Sequence, residues 1–334
     1  MKKREKILFI GLSLLAVMLF FLDITVGSVK IPLNEIIAVF TGTNTDTSTV
    51  MIVRDIRMLK AIVAVGAGAA LSVSGLQMQT LFRNPLAGPY VLGISSGAGL
   101  GVAIFILGAP LMGLASSPII TTVGVAGAAW AGAAMILLFI AAVSRRIKDI
   151  MVILILGIMF SSGVSAIVQI LQYLSNEESL KSFIIWTMGS LGDVTSAQLA
   201  LLLPVLAAGL AIAVFTIKPL NLLLLGENYA KTMGLNVKRT RQLIFLSTTL
   251  LAGTVTAFCG PIGFIGLAVP HLVRLIFRNV DHRILLPGSA LTGAVILLVC
   301  DIISKGLTLP VNTITALFGI PMVIWVVVRN KTIA

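Results

Sequence analysis

Carboxylates are scarce in this chain. Twelve Asp and Glu stand against 24 Lys and Arg in 334 residues, a formal net charge of +12, and only 11% of residues carry charge. Few acids fall deep inside an apolar run, which argues against a carrier that relays protons along buried carboxylates. Asp23 and Asp301 lie near the ends of such runs, where solvated or capping roles are expected. Histidine is rarer still. His271 sits on an apolar run and His282 in a polar loop, and so distant a pair is a poor metal site. Neither H-E-x-x-H nor G-x-x-x-x-G-K-[ST] occurs, so zinc-protease chemistry and phosphate-loop binding of ATP are set aside. With no nucleophile–base constellation either, the chain reads as a non-enzyme with no cofactor. Cys259 and Cys300, the only cysteines, both fall in apolar runs and read as buried thiols rather than a disulfide framework. No long polar stretch offers a soluble domain, so residues 1–334 read as one transmembrane domain.

What is abundant is apolar length. The chain is 58% hydrophobic with a mean hydropathy of +1.09. Uncharged runs of about 18 residues or more recur along it, as in a polytopic helical membrane protein. They do not alternate apolar with polar, so a barrel is not expected. The fold expected is all-α, with about ten spans at 7–26, 58–81, 90–108, 118–143, 150–173, 197–217, 242–258, 264–277, 284–303 and 312–328. The eighth is short and holds Pro270 and His271, which fits a broken or tilted helix inside the bundle.

The cations cluster between the runs, the pattern of membrane topology rather than of nucleic-acid binding. Both termini in the cytosol would place eighteen there (Lys2, Lys3, Arg4, Lys6, Arg83, Arg145, Arg146, Lys148, Lys218, Lys231, Lys238, Arg239, Arg241, Arg274, Arg278, Arg283, Arg329 and Lys331). Six (Lys30, Arg54, Arg57, Lys60, Lys181 and Lys305) would lie outside. The basic start followed by apolar residues 7–22 is signal-peptide-like, but it is long and lacks a small-x-small site, so an uncleaved first span is expected. Outside, residues 31–40 have Pro32 at a helix start and an apolar face suited to the interface. Residues 41–49 read as a Thr-rich loop. Gly66, Gly68, Ser72, Ser74 and Gly75 permit close helix contact, within one subunit or between two.

Three places can carry function. The turn from Arg83 to Pro89 packs two prolines, a cation and an amide between apolar runs; no helix continues through hydrocarbon with those residues, so a tight turn at the membrane surface is expected. In loop 218–241, apolar residues 220–225 lead into Gly226-Glu227, and Gly234 follows. Each glycine can end a helical piece, giving two short helices on the membrane face. They are either a solvated loop or a docking surface, and apolar residues exposed there favour a partner. Arg54 and Arg57, three apart, would share one water-facing side of a helix. They could anchor at headgroups or grip carboxylates of a partner.

The wording of several blocks is more specific. Asn84-Pro85-Leu86-Ala87-Gly88-Pro89, Leu92-Gly93-Ile94-Ser95-Ser96-Gly97-Ala98-Gly99, Trp186-Thr187-Met188-Gly189-Ser190-Leu191, Gly226-Glu227, Gly260 to Arg274, Asp281-His282-Arg283 and Leu286-Pro287-Gly288 occur in that order. Together they resemble the permease subunits of bacterial iron-siderophore, haem and vitamin B12 ABC importers. The resemblance implies a second permease chain, identical or not, two ATP-binding cassette ATPase subunits, an extracytoplasmic substrate-binding protein, and residence in the bacterial inner membrane lipid bilayer. It implies ATPase coupling at Gly226, Glu227, Ala230 and Gly234, and a cytosolic gate at Asn84, Pro85, Leu86, Ile150 and Met151. Binding-protein docking would fall to Arg54, Arg57 and Lys305, the last standing where an arginine is usual. Thr308-Leu309-Pro310-Val311-Asn312 departs from a common Glu-Leu-Pro-x-Gly, which bears on contact with the binding protein at that corner. Iron-siderophore is the first cargo considered, with haem and cobalamin open. The rival class is a secondary transporter or channel working without an ATPase.

Overall fold

A computed structural model describes residues 2–43, 46–108, 118–147 and 149–331. Thr45 of the outer loop and Lys148 of the basic ledger lie outside the described residues. The described residues form helices and no strand. In chain order these are α1 (Lys3–Thr25), α2 (Leu33–Thr41), α3 (Thr47–Phe82), α4 (Ile94–Gly108), α5 (Pro118–Arg146), α6 (Ile150–Leu174) and α7 (Glu177–Thr187). There follow α8 (Ser196–Phe215), α9 (Ile217–Leu224), α10 (Glu227–Thr232), α11 (Val237–Cys259), α12 (Ile265–Phe277), α13 (His282–Leu307) and α14 (Val311–Lys331). Seven are long and apolar enough to cross a bilayer, namely α1, α3, α5, α6, α8, α11 and α13. The shorter apolar helices α4, α12 and α14 bring the total to the ten expected.

The second span differs from expectation. Its helix starts at Thr47 rather than near 58, so part of the supposed loop 41–49 is helical. No proline or glycine interrupts residues 47–65, so charge alone does not end the helix there. Residues Met51–Met58 wind as a π-helix.

Helix α3 occupies the centre, with nearly every side chain from Ala61 to Phe82 buried. Apolar residues gain little by leaving lipid for another apolar face, so membrane helices associate through close packing and hydrogen bonds. Gly68 lies against the Gly293 carbonyl of α13, and Gly75 against the Gly266 carbonyl of α12; a methyl at either would overlap backbone. Ser72 Oγ donates to Ser289 O at 2.7 Å across the first contact. The small-residue stripe therefore serves packing within one chain.

Helix α1 is peripheral: 17% of its apolar window is buried, against 72% for α3. Polar ties at both ends hold it. At one end Arg4 donates to Ile276 O at 3.1 Å, and Asn279 Nδ2 donates to Glu5 Oε1 at 3.0 Å. At the other, the Arg57 guanidinium donates to the carbonyls of Ile24, Thr25 and Val29. Beside it Lys305 Nζ reaches Asp23 Oδ2 at 2.8 Å and Asp301 Oδ2 at 2.9 Å, while Lys60 Nζ lies 3.1 Å from Asp301 Oδ1. The expectation of solvated or capping acids at 23 and 301 is thus overturned, since both are fully buried. Buried charge persists only when paired, and these two acids and two lysines balance. Lys305→Met should leave the acids short of a cation, at a cost of about 3–5 kcal/mol. The expected readout is a lower Tm in detergent, partly recovered by adding Asp23→Asn. An unchanged Tm would mean that the cluster does not fasten α1.

Candidate functional site

These ties also define the two ends of the bundle. The start of α1, the turn after α3, helices α9 and α10, and the turn between α12 and α13 gather at one end. Asp23, Arg57, Lys305 and the segment before α14 gather at the other.

At the first end the two expected short helices are present. Leu220 and Leu223 of α9 are buried and seat it on the bundle. Gly226 then turns the chain at φ +113°, where an L side chain is strained, and α10 begins. Glu227 opens α10, which suits the positive end of a helix dipole, and pairs with Arg241 of α11. Ala230 of α10 is fully buried. Gly234, at φ +81°, closes the element. Leu224, Leu225, Tyr229 and Met233 are exposed on this tip, an apolar patch on an otherwise basic surface.

The turn after α3 lies directly against this tip. Arg83 adopts φ +49° as the C-cap of α3, donates from Nη2 to Leu223 O at 3.1 Å, and lays its guanidinium against Gly226. Asn84 Oδ1 accepts the Leu86 N–H at 2.9 Å, which shapes the tight turn. His271 Nε2–H donates to Pro85 O at 2.8 Å, and Arg274 Nη1 donates to Gln79 Oε1 at 2.6 Å, so α12 braces the turn from behind. Leu86 itself is exposed. Helix α6 meets the segment through Gly157, which lies against the Val91 carbonyl. Asp149 caps α6 by accepting the Met151 N–H at 2.8 Å; Ile150 borders the apolar cluster that includes Ala87, and Met151 faces outward.

One group of bonds here was not legible in the sequence, although Asp281 and His282 stand in one of the blocks that carry the resemblance. Asn221 of α9, Asp281, His282 at the start of α13, and Thr80 of α3 form a continuous buried or half-buried network. Burial pushes the Asp281 carboxyl up, but the Arg283 N–H, the Asn221 amide and the Arg283 charge hold it below the usual carboxylate range. The network's members are 60 positions apart at the Asn221–Asp281 link, and only the fold makes them neighbours.

At the opposite end the expected docking trio separates. Arg54 is exposed, whereas Arg57 is 4% exposed with its guanidinium committed to backbone carbonyls. The expectation that both face water fails because the π-helical stretch widens each turn and residues three apart no longer align. Lys305 is likewise committed, to Asp23 and Asp301. Asn312 Oδ1 accepts the Gly263 N–H at 2.9 Å, so the residue that departs from the common pattern fastens α14 to the loop before α12. Among the described residues, no group of three or more His, Cys, Asp or Glu is placed to hold a metal ion.

Known proteins resemble this chain in sequence and in fold. The profile of the FecCD transport family matches residues 14–329. The hemin transport system permease HmuU of Yersinia pestis is 38% identical over 299 residues, covering 86% of this chain and 87% of that protein. The vitamin B12 import permease BtuC of Citrobacter koseri is 35% identical over 285 residues and 84% of each chain. An inward-facing structure of a metal-chelate type ABC transporter superposes with a TM-score of 0.82 at 29% identity, over 97% of this chain and 99% of that one. PsaBC of Streptococcus pneumoniae shares the fold, at a TM-score of 0.59 and 18% identity over 86% of this chain. Matched over nearly its whole length, the chain belongs to the FecCD transport family.

Proposed function

We infer that the chain is the permease of an ABC importer that carries a metal chelate into the cytosol, with ATP hydrolysed by partner subunits. Iron-siderophore is the first cargo to consider, with haem and cobalamin the alternatives suggested by the relatives. One observation carries the reading: a two-helix loop with an exposed apolar tip is bonded through Arg83 to the turn that would gate the path. A cytosolic ATPase that gripped α9 and α10 would move that turn with them. The permease supplies two states and its partners bias them. Two permease chains, two ATPase subunits and an external binding protein complete the assembly, and both termini lie in the cytosol.

Gly226→Pro should abolish uptake while leaving the chain in the membrane, because proline fixes φ near −65° where +113° is needed. Glu227→Ala should lower uptake about tenfold, equivalent to roughly 1.4 kcal/mol of lost coupling. Normal uptake by both variants would remove the coupling assignment. Sidedness is read separately with an impermeant thiol reagent. A cysteine at Glu178 should react in sealed cells and one at Arg278 only after lysis; the reverse pattern would invert the topology. For docking, Arg54 is the member of the expected trio whose side chain is exposed. Arg54→Glu should weaken association with the binding protein, and the wild-type association should itself fall as salt rises. Arg57→Glu should instead lower Tm, since its guanidinium holds α1. Unchanged association of Arg54→Glu at low salt would exclude Arg54 from the contact.

A further inference from the structure

Resting on the coupling reading above, we propose that His282 is a positioning residue that locks helix α9 to the last turns of α3, so that α9 and the turn at Asn84–Leu86 move as one body.

Gln77 and Thr80 of α3 and its C-cap Arg83, spaced by three, reach α9 or its start. Gln77 Nε2 donates to Thr216 Oγ1 at 3.1 Å, just before α9. Thr80 reaches Asn221 through His282. Arg83 donates to Leu223 O. The middle link is the one that recruits a third helix, because His282 is the first residue of α13.

The ring's hydrogen-bonding roles follow from its neighbours. Asn221 Oδ1 lies 2.9 Å from the His282 main-chain nitrogen and 2.7 Å from its Nδ1, while Asn221 Nδ2 lies 2.6 Å from Asp281 Oδ1. A flipped amide would set its NH2 against the His282 N–H and its oxygen against a carboxylate, so the orientation is fixed. Nδ1 therefore carries a proton and donates to Asn221. Nε2 is 2.8 Å from Thr80 Oγ1, which is also 3.0 Å from Leu76 O. In a neutral ring the Thr80 hydroxyl donates to Nε2. In a charged ring Nε2–H donates to Thr80, whose hydroxyl turns to Leu76 O. Both states keep α9 and α3 joined. His282 is 1% exposed and Thr80 4%, so water does not compete for these bonds.

An imidazole spans the two partners because its nitrogens point in divergent directions. His282→Asn can place an N–H near Asn221 but falls short of Thr80. Thr80→Val removes the hydroxyl and keeps the shape, and Thr80→Ser keeps the hydroxyl. The test is a nitroxide at the exposed Leu86, in the assembled transporter with its ATPase subunits, read without nucleotide and with ATP plus vanadate. In the parent protein the nucleotide should shift the Leu86 signal. In Thr80→Val and in His282→Asn the shift should fall to about half or less, the Gln77 and Arg83 links remaining, with ATP hydrolysis kept within about twofold of the parent. Thr80→Ser should respond as the parent does, and the double variant should lose no more than either single change, since both cut one link. If His282→Asn does not assemble, Thr80→Val decides. Parent-like shifts in Thr80→Val would overturn the proposal while leaving the coupling loop in place. A parent Leu86 label indifferent to nucleotide would overturn the coupling reading and this proposal together.

Discussion

Close approach of α3 to α12 and α13 governs the placement of both functional ends. The Gly68–Gly293 and Gly75–Gly266 contacts let backbones meet with no side chain between them, and Ser72 adds a bond to Ser289 O. Hydrocarbon offers no water to a stray polar group, so polar residues on these helices must find partners inside the bundle. At one end they do so through Gln77, Thr80 and Arg83, which seat α9. At the other, Arg57 and the Lys60–Asp301–Lys305–Asp23 cluster seat the end of α1. One central helix thus carries the Arg57 and Lys60 contacts at its start and the seat of α9 at its end.

This arrangement gives the two ends different mechanical characters. The end that holds Arg57 is fastened by charge pairs and a guanidinium on backbone carbonyls, which are costly to break when buried. The opposite end exposes Leu224, Leu225, Tyr229 and Met233 on a glycine-bounded tip. On the proposed reading, a partner that covered that tip would gain apolar contact there, and the hydrogen bonds beneath would carry its motion inward.

Much of this was legible in the sequence. Runs of apolar residues located the ten helices, because backbone satisfaction in lipid leaves few alternatives. Gly226 and Gly234 marked the two short helices, since glycine before and after a helical piece signals a left-handed backbone. The Pro-rich block marked the turn. Facing was not legible. Asp23 and Lys305 are 282 residues apart, and nothing local tells that they meet. Arg57 shows the same limit: its spacing from Arg54 implied a shared exposed face, and a π-helical stretch turned it inward. His282 looked like a loop residue because its partners, Thr80 and Asn221, come from two distant segments.

The central claim is that this chain moves cargo only when driven by an ATPase seated on α9 and α10. The most direct measurement purifies the chain from its native membrane in mild detergent, reconstitutes it with and without whatever copurifies, and follows ATP hydrolysis and ATP-dependent uptake of an iron(III) chelate, hemin and cobalamin. The expected result is a copurifying ATPase, uptake of one of these cargoes that requires ATP, and none by the chain alone. Uptake by the chain alone, driven by an ion gradient or running down the cargo's own gradient, would contradict the account.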